Sequence, residues 1–159
     1  MCYPHILEQL LAPLQKEVSP DVHVSEAVAC RCVFLCDLFS FCVQYHGFRM
    51  RTFLLRNSLL SIALKTLSYK ENHVALGGIR FFRIVLGIGD DFYNRHIVQN
   101  KLFDPLVDAL KRNGTKYNLL NSTLIEVFEY INSTVCITSK LLSPHCLVFF
   151  FFLSFLSSS

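Results

Sequence analysis

Residues 90–131, DDFYNRHIVQNKLFDPLVDALKRNGTKYNLLNSTLIEVFEYI, carry the pattern that decides the fold: three amphipathic helices with their start and stop signals in place. Asp90 suits the cap of a first helix running through Tyr93 and Ile97, because its short side chain can accept from the free amides of the first turn. Asp104 followed by Pro105 starts a second helix, since proline at the first helical position gives up only an N–H that would have no partner. The apolar residues Phe103, Leu106, Val107 and Leu110 then recur at i, i+3, i+4 and i+7. Lys111 and Arg112 place positive charge at the negative end of the helix dipole, and Gly114 supplies a left-handed residue to close the helix. A third helix carries Tyr117, Leu120, Leu124, Phe128 and Ile131 on one face and Asn118, Ser122, Glu126 and Glu129 on the other.

Moving this stretch back by 43 positions tests whether it is a repeat, because stacked units must bury the same face each time. Asn57 falls on Asn100 and Leu59 on Leu102, and the quartet Leu60, Ala63, Leu64, Leu67 falls on Phe103, Leu106, Val107, Leu110. The third helices align at an offset of 46, which a longer loop at residues 114–116 accounts for, so that IRFFRIV from Ile79 lies over IEVFEYI from Ile125. A further 43 residues back, CDLFSFC from Cys36 repeats the pattern, and Phe39, Phe82 and Phe128 become equivalents. A period of 43 to 46 residues with three helices per unit predicts an all-α fold, an armadillo- or HEAT-like α-solenoid of about three helical repeats.

The register also arranges charge. Polar positions of the third helices read Asp37, Arg80, Glu126 in one row and Ser40, Arg83, Glu129 in the next, which predicts inter-repeat ion pairs from Arg80 and Arg83, the latter with Glu129. Exposed pairs of this kind contribute only about 0.2–1 kcal/mol each.

Taken in order, residues 1–14 read as a short helix with Ile6, Leu7, Leu10, Leu11 and Leu14 on its apolar face, and residues 15–24 as a loop. Ser25 can cap a helix reaching about His46 that is apolar almost all round. Arg31 and Asp37 lie inside it and its apolar run is short of the ~20 residues a membrane span needs, so a buried repeat helix is the better reading. Residues 48–56 and 58–68 form the next two helices, and 71–86 the third, with Gly77 and Gly78 in its interior. Each glycine costs roughly 1 kcal/mol there relative to alanine, so either a neighbouring helix approaches closely or the unit is locally weak.

Residues 1–131 thus form a partial armadillo-like helical domain, and residues 132–159 a hydrophobic, low-complexity tail. The tail ends in CLVFFFFLSFLSSS, without helical periodicity or flanking charge, and its 11-residue apolar core is too short to span a bilayer. It reads as translation into an intron or a gene-model error, the alternative being a hydrophobic carboxyl-terminal anchor. Four consecutive phenylalanines make it prone to strand pairing if exposed.

The composition is 52% apolar over 159 residues, enough for one domain with a true core, and the net charge of +3 is too small to argue for nucleic acid. The start, CYPHILEQLLAPL, has no basic region and contains two prolines, unlike a secretory leader. Seven unevenly spaced cysteines then favour free thiols in a reducing compartment. Cys30, Cys32, Cys36 and Cys42 lack the paired turn spacing of a structural zinc site and read as packing residues. No cofactor is implied. The histidines at 5, 23, 46, 73, 96 and 145 belong to no catalytic motif, and GIGDD at 87–91 ends one unit and caps the next, so the chain reads as noncatalytic. Asn113, Asn121 and Asn132 stand in glycosylation sequons that are inert without secretion. The equivalents of Asn121 are Ala75 and Cys32, so no asparagine ladder of the nuclear-import type runs along the third helices.

The run GDDFYNRHIVQNKLFDPLVDALKRNGTKYNLLNSTLIEVFEYI, with LFSFCVQYH and ALGGIRFFR before it, closely resembles the helical core of the protein phosphatase 4 regulatory subunit 3 family, also called SMEK or falafel. The resemblance covers residues 3–131 and is weakest before Ser25; Gly77 and Gly78 depart from the family's usual small residues. It implies a noncatalytic regulatory subunit, partnered with the phosphatase catalytic subunit and another regulatory subunit, that directs the enzyme to protein substrates in nucleus and cytoplasm. Direct nucleic-acid and membrane partners are not expected. The polar faces of the third helices, Arg80, Arg83, Asn118, Asn121, Ser122, Glu126 and Glu129, form the expected partner-binding surface if these helices line the groove as in armadillo proteins. The alternative is an armadillo-type peptide-binding module without phosphatase partnership.

Overall fold

A computed structural model of the chain describes residues 26–69, 71–114 and 118–135. The expected helix at 1–14, the loop at 15–24, the Ser25 cap, Tyr117 on the third helix's apolar face and most of the tail lie outside the described residues. Within them the chain forms seven α-helices and no strand. These are α1 (Glu26–Tyr45), α2 (Gly47–Arg56), α3 (Leu59–Lys65), α4 (Asn72–Ile88), α5 (Asp91–Gln99), α6 (Asp104–Asn113) and α7 (Leu119–Val135).

Equivalent helices of successive units lie side by side: α2 on α5, α3 on α6, and α1 on α4 on α7. The sequence period is therefore a spatial one, and the units α2–α3–α4 and α5–α6–α7 follow the third helix α1. Phe39, Phe82 and Phe128, aligned from sequence, are all buried in one continuous core. The Phe82 ring meets Phe103 of the next unit edge-on at 6.1 Å, and the Phe39 ring lies 6.2 Å from Phe81. Arg112 adds a polar tie by donating from Nη2 to the Leu67 carbonyl of the unit before, at 3.3 Å.

Local signals explain most helix ends. Asp90 accepts from the Phe92 amide at 2.8 Å, satisfying a first-turn donor as its sequence position predicted. Asn57 and Asn100 each donate from Nδ2 to the carbonyl four residues earlier, Phe53 and His96, at 3.0 and 2.8 Å. The residue after each, Ser58 and Lys101, has φ of +50° and +52°. A left-handed non-glycine residue is unusual, and its recurrence one period apart marks the same sharp turn between first and second helices in both units.

Several boundaries differ from the sequence reading. The 58–68 helix is α3 followed by a 3-10 turn, Thr66–Ser68, and the 71–86 helix runs on to Ile88, where Gly89 closes it at φ +69°. Asp104 is the first residue of α6 rather than its cap; Phe103 holds the cap position without a side-chain bond, and Pro105 follows in the first turn. Gly114 has the positive φ expected, +59°, but a ψ of −139°, so its backbone is not left-handed helical. Helix α7 does not end at Ile131 but continues to Val135.

Gly78 answers the question its sequence posed. A Cβ there would lie 2.6 Å from the Ala63 carbonyl oxygen and closer still to Thr66 Oγ1, so α3 and its 3-10 turn can approach α4 only because the residue is glycine. Helix α1, weighed as a membrane span, buries Cys32, Cys36, Phe39 and Val43 in the core. No helix among the described residues is long and apolar enough to cross a membrane.

Candidate protein-interaction surface

The residues expected at the partner-binding surface lie on α4, on α7 and just before α7, and the structure sorts them into three kinds. Arg80, Ser122, Glu126 and Glu129 are exposed. Arg83 is half-buried and held in place: its guanidinium lies 3.8 Å over the Tyr130 ring, and its Nε sits 3.7 Å from Glu126 Oε1. That distance is beyond a hydrogen bond, and the buried Nε has no other acceptor.

Asn118 and Asn121 serve the start of α7. Asn118 Oδ1 accepts from the Asn121 amide at 2.9 Å, the N-cap bond of the helix. The Asn118 and Asn113 side-chain amides exchange two hydrogen bonds of 2.9 and 3.1 Å, and Asn121 Nδ2 donates to the Gly114 carbonyl at 3.1 Å. These amides fix the α6–α7 connection.

The ion pairing expected from sequence needs correction. Arg83 reaches Glu126, not Glu129, and Arg80 makes no ion pair among the described residues. The third helices align at 46 residues in sequence, yet side chains meet across the stack one helical turn earlier. Long cationic side chains reach diagonally, so residues sharing a register row are not the ones in contact.

One cluster was missed. Between the first helices of the two units, Arg51 of α2 donates from Nη1 to Asp90 Oδ2 at 2.8 Å. Its guanidinium also lies between the rings of Phe48 and Phe92, at 5.1 and 4.6 Å. Asp90 thereby caps α5 and clamps it to α2. Burial raises its pKa, but the Arg51 hydrogen bond, the Phe92 amide and the Arg51 charge outweigh that and hold the carboxyl below its ordinary value. Sequence gave the cap but no signal for the arginine, which lies 39 residues away.

The titratable groups of the interior are packing residues. Burial pushes the Cys36 thiol up to about 12, aided by nearby Cys32 and Asp37. Burial likewise raises the Tyr93 hydroxyl to about 12. It lowers the pKa of His96, whose buried Nε2 has no partner. Cys32, Cys36 and Cys42 are buried and free, and Cys30 is exposed. No cluster of three or more histidine, cysteine or acidic residues among the described residues is placed to hold a metal ion.

A family model described as Phosphatase 4 regulatory subunit 3 matches residues 1–147, nearly the whole chain. The chain belongs to the phosphatase 4 regulatory subunit 3 family. Among its relatives, Serine/threonine-protein phosphatase 4 regulatory subunit 3 of Drosophila melanogaster is 41% identical over 105 residues, 64% of this chain and 11% of that protein. Protein PPP4R3C1 of Mus musculus is 40% identical over 95 residues, 60% of this chain and 12% of that protein. The chain thus spans about an eighth or less of the length of these relatives. No solved structure matches it. The family match continues past Ile131, into the segment that the sequence reading sets apart as a tail.

Proposed function

We propose that this chain acts as a noncatalytic scaffold element of a phosphatase 4 regulatory subunit, joining the catalytic subunit and its other regulatory subunit to protein substrates in nucleus and cytoplasm. The family match over residues 1–147 carries this reading. The stacked units support it, because a repeat array offers an extended surface whose residues are held by neighbouring helices rather than by loops.

In this reading Arg80, Ser122, Glu126 and Glu129 touch the partner. Arg83 sets the charge pattern from its place against Tyr130, and Asn118 and Asn121 position α7. Co-precipitation tests it: the tagged 159-residue chain should recover the phosphatase catalytic subunit, and Arg80→Glu with Glu126→Lys should lose it. Recovery that is absent, or indifferent to both changes, refutes the reading.

A second reading, a peptide-binding repeat module without phosphatase partnership, is favoured by one observation: Arg80, Ser122, Glu126 and Glu129 stand exposed on the third helices, where a repeat module could hold a peptide. It predicts that the surface variants alter peptide binding while no catalytic subunit is recovered.

A further inference from the structure

Asn113 alone among the chain's asparagines is followed by glycine. That pairing favours spontaneous deamidation, because a residue without a side chain leaves its backbone nitrogen open to the neighbouring carboxamide carbon. The reaction balances without oxidant or cofactor. Base takes the Gly114 amide proton, the nitrogen forms a bond to Asn113 Cγ, the Cγ–Nδ2 bond breaks, and Nδ2 leaves as ammonia after gaining a proton from water. Water then opens the cyclic imide at either carbonyl, leaving aspartate or isoaspartate.

The folded chain opposes the first step twice. The Gly114 amide donates to the Leu110 carbonyl at 3.0 Å, at the end of α6. The Asn113 carboxamide is held by Asn118, donating from Nδ2 to Asn118 Oδ1 at 2.9 Å and accepting from Asn118 Nδ2 at 3.1 Å. Cγ cannot turn onto the Gly114 nitrogen until that pair opens. Gly114 itself is exposed, so water and hydroxide reach it.

Neither product restores the pair. Asn118 Oδ1 accepts from the Asn121 amide at 2.9 Å as well as from Asn113 Nδ2. A carboxylate at 113 only accepts, so an oxygen in place of Nδ2 sets acceptor against acceptor and drives Asn118 from its place. The new charge also stands on the last residue of α6, at the negative end of the helix dipole. Isoaspartate further inserts a side-chain carbon into the backbone, next to the Gly114 carbonyl that Asn121 Nδ2 holds at 3.1 Å.

We propose that Asn113 is a deamidation site guarded by the Asn118 side chain, and that its conversion undoes the cap of α7. Loss of ammonia makes the change one-way, so converted chains accumulate as the protein ages.

The test incubates the full 159-residue chain in mildly alkaline buffer and follows aspartate and isoaspartate at 113 by digestion and mass spectrometry. Asn113 should convert ahead of Asn57, which precedes serine. Asn118→Ala should raise the rate about tenfold, the factor that losing two hydrogen bonds of ordinary strength implies. Gly78→Ala, which crowds α3 and leaves the amide pair intact, should not. Asn113→Asp, which makes one product directly, should melt below the parent chain, and should add little in the Asn118→Ala background. The proposal is overturned if Asn113 stays intact, if Asn118→Ala and Gly78→Ala change the rate alike, or if Asn113→Asp melts with the parent. Circular dichroism checks that each variant is folded beforehand. Ageing the parent chain tests the same point without a destabilising variant: its melting temperature should fall as Asn113 converts, while that of Asn113→Gln holds, and equal behaviour of the two overturns the proposal.

Discussion

At Gly78 the chain has no room for a methyl group, while its neighbour Gly77 has some to spare. A Cβ on Gly78 would meet the Ala63 backbone oxygen at 2.6 Å, and backbone cannot give way, so Gly78→Ala should destabilise the protein by about 1–3 kcal/mol. A Cβ on Gly77 would meet Val33 at an ordinary 3.6 Å, so Gly77→Ala should be neutral or stabilise by up to roughly 1 kcal/mol. Urea denaturation of the two single variants separates them. The sequence marked the pair as either a close approach or a weak point, and it could not divide them, because which glycine meets α3 depends on the rotation of α4. Asp90 carries a second prediction at this scale. Its folded pKa is lowered, so its contribution is present above the unfolded value of about 4 and is lost as pH falls through the folded value. Asp90→Asn should therefore have its largest deficit at pH 6, shrinking as the pH approaches about 2, in denaturation curves taken across that range.

Between elements, the contacts that matter are those sequence alignment placed one turn off. Reversing both charges, Arg83→Glu with Glu126→Arg, should recover part of what the singles lose. Coupling should stay within about 1 kcal/mol, since the pair is partly exposed at 3.7 Å. The same reversal with Glu129 should be additive. Coupling at Glu129 instead would overturn the diagonal pairing. Asn118→Ala should cost about 1 kcal/mol through the lost N-cap alone, and more because the Asn113 amide loses both partners. Thermal melts of Asn118→Ala beside Asn118→Asp separate acceptor from donor, since aspartate keeps an acceptor for both the Asn121 amide and Asn113 Nδ2 and loses only the donor to Asn113 Oδ1. Neither role for Asn118 was legible in its sequence position, where it read as one more polar residue on an outward face.

At the scale of the whole molecule, one core joins all seven helices of the described residues, so damage at its centre should be felt throughout them. Phe82→Ala, which empties a fully buried site against Phe103, should cost about 3–5 kcal/mol. Far-ultraviolet dichroism and tyrosine fluorescence should still follow a single coincident transition; separate transitions would mean that the units unfold independently. At this scale the sequence by itself determined the helices, their order and the 43-residue period, because helix periodicity and end-capping are local and each unit must bury the same face. It also determined the family, through a run of motifs that needs no coordinates. The tertiary structure alone decided which glycine admits α3, that Arg83 meets Glu126 and Tyr130, and that Arg51 clamps Asp90. Each of these depends on how far one helix is rotated and shifted against another. A single residue of shift turns a helix face by about 100°, and the partners stand some forty residues apart in the chain, where no local pattern records that rotation.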